Sequence, residues 1–107
     1  DKMLQKLLKL RVFGDENGKT NLSLDSFDGE LLCVSQFTLY ADLRKGNRPS
    51  FTSALPGKDS EPLYNDFKKK LSLAHPKTQY GVFGADMKVS LINDGPFTVW
   101  LDSKELF

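Results

Sequence analysis

The sequence predicts an α+β domain in which a mainly antiparallel sheet packs with two helices. Two stretches, one at the start of the chain and one past its middle, repeat apolar residues at helical spacing. The other apolar residues fall in short runs that alternate with polar ones, as strands do. Gly-containing turn signals separate those runs.

From Asp1 to Leu10, Met3, Leu4, Leu7 and Leu8 share one face of a helix. Leu10-Arg11-Val12-Phe13 alternates as a short strand, and Gly14 to Gly18 is a turn, because Asn-Gly tolerates positive φ. Leu22 and Leu24 mark a half-exposed strand, and Asp28-Gly29 the next turn. Leu31 to Tyr40 reads as one long strand. Alternation places Leu31, Cys33, Ser35, Phe37 and Leu39 on one face and Leu32, Val34, Gln36, Thr38 and Tyr40 on the other. The run starts apolar and turns polar without a turn signal, so it leaves the core near Ser35 and Gln36. There the two side chains either satisfy neighbouring backbone groups or open into a site.

Asp42 to Lys58 is a loop carrying Arg44, Lys45, Arg48 and Lys58 against one acid, Asp42. It reads as a solvated basic loop or as a holder for a phosphate chain. Asp59 or Ser60 caps the second helix, with Pro62 tolerated in its first turn. Leu63, Phe67, Leu71 and Ala74 form its inward stripe, and Lys68, Lys69 and Lys70 its wet side. His75-Pro76 ends it. Met87, Val89 and Leu91, then Phe97, Val99 and Leu101, alternate on either side of Asn93-Asp94-Gly95-Pro96, the pattern of a hairpin.

At 107 residues the chain is a single domain, 1–107, with an ordinary balance of 39% hydrophobic and 27% charged residues. A net charge of +1 gives no global case for nucleic-acid binding. The lone Cys33 cannot form an internal disulfide, which fits a reducing compartment. It sits in the apolar part of its run as a small hydrophobe. No apolar run approaches membrane-spanning length.

The usual catalytic sets are missing. No Cys/His spacing suits a metal, no Gly loop suits a nucleotide phosphate, and the one histidine stands before Pro76 in a loop. What remains is the hydroxyls of Ser35, Thr38 and Thr98, the amide of Gln36 and the backbone of the Gly95-Pro96 turn. Such groups suit a reaction on an already activated bond, where positioning and oxyanion stabilisation suffice.

Ser35-Gln36-Phe37-Thr38-Leu39, followed by Asn93-Asp94-Gly95-Pro96-Phe97-Thr98, resembles the D-aminoacyl-tRNA deacylases, the D-tyrosyl-tRNA deacylases of older naming. Leu10 to Phe13, Lys45 to Phe51 and Phe83 to Met87 resemble further family segments in the same order. One departure is Phe97, where the family usually has Val.

The resemblance implies a barrel-like fold and a cytoplasmic homodimer. In it, Ser35, Gln36, Phe37 and Thr38 of one subunit face the Gly95-Pro96 turn of the other. Gly95-Pro96 is then cis, and its carbonyl oxygens hold the substrate amino group and reject L-amino acids by collision. Phe37 offers its N–H to the ester carbonyl, and Phe83, Ala85 and Met87 line the pocket for the terminal adenosine. Thr38 or the 2′-hydroxyl of the substrate is the acting hydroxyl. The second is favoured, because no general base stands near Thr38.

The substrate implied is the 3′ end of a D-aminoacyl-tRNA, and also mischarged glycyl-tRNA, with no metal or other cofactor. The first helix begins without a preceding cap, and the family carries strands before it, so an N-terminally truncated domain with an exposed edge or apolar face is expected. The family also has there an Arg that braces the Gly-Pro turn, for which this chain offers no substitute. An inactive tRNA-binding module and a structural fragment are therefore the rival readings.

Overall fold

The computed structural model describes all 107 residues. Helix α1 (Lys2–Lys9) lays Leu4 and Leu8 into the core, with Leu7 half-buried beside them. Strands β1 (Arg11–Gly14) and β2 (Thr20–Ser23) pair antiparallel across the predicted turn. Asp15 closes that turn by accepting from the backbone N–H of Lys19 and of Asn17, both at 2.9 Å. Those bonds, the Lys19 one foremost, hold its carboxyl below the ordinary carboxylate range. A 3₁₀ turn at Leu24–Ser26 follows, locked by reciprocal Ser23 and Ser26 bonds, and puts Leu24 into the core.

Strand β3 (Leu31–Cys33) pairs with β4 (Thr78–Tyr80), and helix α2 (Gly57–Ala74) lies between them in the chain. The pairing is parallel, Leu31 opposite Thr78 and Cys33 opposite Tyr80. Leu4, Leu8, Leu24 and Leu71 form the buried core, and Leu71 of α2 is wholly enclosed. Asp28 and Lys77 join the approaches to β3 and β4 at 2.6 Å, a bond that keeps the Asp28 carboxyl acidic. His75 bonds the Gly29 carbonyl oxygen at 3.1 Å through Nε2, a structural use of the ring. A short helix, α3 (Ser103–Leu106), capped by the Asp102 carboxylate, was not legible in the sequence.

The α+β class holds, and the sheet differs from the expected one. Two separate two-stranded sheets, one antiparallel and one parallel, stand in place of a single mainly antiparallel, barrel-like sheet. The predicted strand from Leu31 stops at Cys33 because nothing in the chain pairs with the residues beyond it. Locally, the Gln36 side chain takes the Thr38 hydroxyl, and Thr38 to Tyr40 winds into a 3₁₀ turn. The hairpin expected around Asn93 has no ladder either. Its turn is tied by side-chain bonds instead, the Phe97 N–H donating to Asn93 Oδ1 at 2.8 Å.

The inward stripe of α2 differs from the expected one at its start. Tyr64, Phe67 and Leu71 face inward, and Leu63 is 64% exposed. The helix starts at Gly57, after Pro56, so neither Asp59 nor Ser60 is its cap. The expected apolar face is present: Leu91, Ile92, Val99 and Trp100 all lie open, Ile92 at 93%. Phe97, read in one alternating run with Val99 and Leu101, is about half exposed at 48%. No helix is long and apolar enough to cross a membrane.

Candidate functional site

The parallel pairing decides where the site residues fall. Parallel strands release the chain from the same end, so the segments after β3 and after β4 emerge side by side. The first is Val34 to Thr38 and the second Gly81 to Met87. A backbone bond from Gly81 N–H to the Cys33 carbonyl oxygen, 3.0 Å, continues the contact past the strands. Gly81 is fitted closely there: a Cβ on it would stand 2.7 Å from Met87 Sδ and 3.5 Å from a Val34 methyl. Met87 is therefore folded back against the exit of β3, and its sulfur accepts the Val82 N–H at 3.3 Å. Ala85 donates to the Val82 carbonyl oxygen at 3.1 Å, which curls the loop and brings Phe83 over the Tyr64 ring, 5.5 Å between centroids.

On the β3 side, Ser35 is half-buried and Gln36, Phe37 and Thr38 are exposed. Thr38 Oγ1 donates to Gln36 Oε1 at 2.8 Å. An amide oxygen is no base at neutral pH, so this bond orients the hydroxyl without activating it. The Phe37 ring rests edge-on against Phe51, centroids 4.9 Å apart, which anchors the 35–38 segment to the basic loop. The Phe37 N–H has no acceptor within the chain. In the loop, Arg44 is spent on Asp42 through bonds of 2.9 and 2.7 Å. These bonds lower the Asp42 carboxyl and raise the guanidinium, leaving Lys45, Arg48 and Lys58 without a carboxylate partner.

Gly95-Pro96 is cis, as expected. Gly95 has φ +131, a conformation open to glycine, and a Cβ there would meet the Phe97 nitrogen at 3.1 Å. Asn93 braces the turn from both sides: Oδ1 accepts from Phe97 N–H, and Nδ2 donates to Thr98 Oγ1 at 3.0 Å. No hydrogen bond or ring contact joins this turn to the 35–38 segment of the same chain. The structure thus brings Met87 against Val34 at the exit of β3, with Phe83 on Tyr64. Neither that loop nor the Gly95-Pro96 turn makes a hydrogen bond or ring contact with Ser35, Gln36, Phe37 or Thr38.

Two contributors escaped the sequence reading. Asn93 stood in the motif without a role, although a side-chain amide four residues before Phe97 was a signal for a braced turn. Tyr64 was missed because the first turn of the α2 stripe was assigned to Leu63, while Phe67 and Leu71 were placed correctly. Its hydroxyl lies 3.7 Å from Cys33 Sγ, and burial first, then that neighbour, pushes its pKa up to about 12. It remains a neutral phenol under any physiological condition and supports the Phe83 loop from below.

These parts define a class before they define a family: an α+β domain whose candidate residues offer backbone donors, an amide and hydroxyls. The family model described as D-Tyr-tRNA(Tyr) deacylase matches residues 1–102. A D-aminoacyl-tRNA deacylase of Clostridium novyi is 57% identical over 103 residues, covering 96% of this chain and 69% of that protein. One from Thermosipho africanus is 51% identical over 105 residues, covering 98% and 70%. A solved structure of a c-Myc DNA Unwinding Element Binding Protein is 44% identical and superposes with a TM-score of 0.86, over 95% of this chain and 70% of that one. The chain belongs to the D-Tyr-tRNA(Tyr) deacylase family.

Proposed function

We propose that this protein hydrolyses the ester joining a D-amino acid to the 3′ end of tRNA, releasing the free amino acid and tRNA, and that it treats mischarged glycyl-tRNA in the same way. The observation that carries the reading is the unpartnered Phe37 N–H, held by the Phe37–Phe51 ring contact beside the Gln36–Thr38 bond. A donor fixed in this way is suited to the carbonyl oxygen of an ester, whose negative charge grows as water adds to the carbon. The adjacent ribose 2′-hydroxyl assists, and the 3′-oxygen leaves with a proton. Phe83, Ala85 and Met87 hold the terminal adenosine.

The Gly95–Pro96 turn serves the site of a second copy. Its separation from Ser35–Thr38 within one chain, together with the open apolar residues around it, supports a homodimer with the site at the interface. The braced backbone of that turn holds the amino group of the substrate and collides with an L side chain. The setting is cytoplasmic, where charged tRNA is found.

Release of amino acid from D- and L-aminoacyl-tRNA tests the reading. The D-ester is expected to be cleaved and the L-ester spared. Thr38→Ala is expected to lose less than about tenfold in kcat/KM, since its hydroxyl has no base to activate it. A loss of several orders of magnitude with tRNA binding intact would make Thr38 the nucleophile and overturn the assignment.

A further inference from the structure

A second surface, away from the residues assigned above, has the chemistry of a nucleic-acid backbone site. Lys2, Lys6 and Lys9 recur at intervals of four and three, which stacks them on one face of α1. Arg11, at the start of β1, extends the row. These four cations line a cleft of about 660 Å³, one end of which is walled by Leu10 and Phe107. Lys2 Nζ stands 5.6 Å from the centre of the Phe107 ring.

The charge in the cleft is uncompensated. None of the four cations meets a carboxylate, because the ion pairs of the chain involve Arg44, Lys70 and Lys77 only. The one acidic side chain of the cleft, Asp1, is drawn to Lys70 at 3.4 Å. Arg11 spends its hydrogen bonds on neutral groups, the Asn21 carbonyl oxygen at 3.0 Å and Asn21 Oδ1, and so keeps its charge for a ligand.

A basic amphipathic helix also suits an anionic membrane, but that use needs its apolar face. Here the apolar face is committed: Leu4 and Leu8 are packed in the core. What α1 presents is a rigid row of charges. From Lys2 to Lys9 the row runs about 10 Å along the axis at 1.5 Å per residue. That length spans a few consecutive phosphates of one strand.

We infer that the Lys2–Lys6–Lys9–Arg11 cleft binds the phosphate backbone of RNA, and that it holds the body of the tRNA whose 3′ end enters the site proposed above. The inference rests on that reading for the identity of the RNA and on the cleft alone for the chemistry. Contacts of this kind fix position without reading sequence.

The test is binding of uncharged tRNA over a series of KCl concentrations, which needs no turnover. In the triple variant Lys2→Gln, Lys6→Gln, Lys9→Gln, affinity at fixed salt is expected to fall at least tenfold. The slope of log K against log salt should become shallower by about 2 to 3, since each lost phosphate contact removes about 0.7 to 0.9. The triple Lys→Arg variant should bind as the wild type does, which separates lost charge from lost fold. An unchanged slope in the Gln variant, or no rescue by Arg, overturns the inference. So does competition by poly-glutamate equal to that of tRNA per unit charge, which would make the ligand an acidic protein. Cleavage of D-aminoacyl-tRNA by the wild type is scored separately: its absence, with the slope change present, overturns the deacylase reading and leaves the phosphate site standing.

Discussion

Residues 2–33 and the 82–102 segment are both rich in apolar side chains, and their fates differ. In the first region Leu4, Leu8 and Leu24 meet Leu71 of α2 and are buried. In the second, Val82, Val89, Leu91, Ile92, Val99 and Trp100 are left about half exposed or more. Pattern alone does not bury a side chain; an opposing surface does, and within this chain only the first region has one. The candidate site divides along the same line. Ser35 to Thr38 starts from the packed region, and the Gly95–Pro96 turn belongs wholly to the open one. Stability and function are therefore expected to respond to different residues.

The sharpest way to break this comparison is a matched pair of truncations. Leu71→Ala is expected to cost about 2–5 kcal/mol, because a fully enclosed leucine leaves a cavity behind. Leu91→Ala, open within one chain, should stay within about 0.5 kcal/mol at protein concentrations low enough to keep the chain monomeric. Urea unfolding of the two variants gives both numbers. Equal costs would mean that the open segment is covered in solution and that the contrast between the regions is lost.

Gly95→Ala should produce the reverse pattern, with activity lost and stability kept. Its φ of +131 and the Phe97 nitrogen 3.1 Å from the added Cβ force the turn to shift. If the turn orients the amino group of the substrate, cleavage of D-aminoacyl-tRNA should fall on the order of 100-fold, or about 2.7 kcal/mol in the barrier. Denaturation of the variant should stay near that of the wild type. Full activity in Gly95→Ala would remove the turn from the site.

The smallest effect sharpens the border between the regions, where Tyr64 stands. Its folded-state pKa of about 12 lies above the ordinary tyrosine value of 10.0. The folded protein thus holds the phenol proton more tightly than the unfolded one does. The resulting stability is complete below about pH 10 and is lost as the pH rises through 12. Ultraviolet titration should show a late step near pH 12, and Tyr64→Phe should remove it. A titration without that late step would place Tyr64 in solvent.

How far the sequence could be read follows from the range of each interaction. Both main helices were legible because their spacing is a local property, as with Leu4 and Leu8 on α1. The first turn of the α2 stripe was not, since Leu63 and Tyr64 are both plausible inward residues and only the position of β3 decides between them. The length of β3 was misjudged for the same reason: alternation continued to Tyr40, but a strand needs a partner, and the partner ends at Tyr80. The parallel sense of that pair has no sequence signature at all. Site residues were legible as a motif through Ser35–Thr38 and Asn93–Thr98, whereas the bracing role of Asn93 appeared only with coordinates.

The pairing of β3 with β4 also carries a consequence for how the molecule assembles. Leu31 finds Thr78 forty-seven positions later, with the whole of α2 in between. The β1–β2 hairpin and α2 rest on near neighbours and can form while the rest of the chain is still loose. The parallel pair has to wait, because the entropy of closing so long a loop is lost before any ladder bond repays it. A chain emerging from the ribosome therefore has its helices and its hairpin well before the two strand ends that carry Ser35–Thr38 and Phe83–Met87 come together. Closure of that end of the sheet would then be the last step of folding.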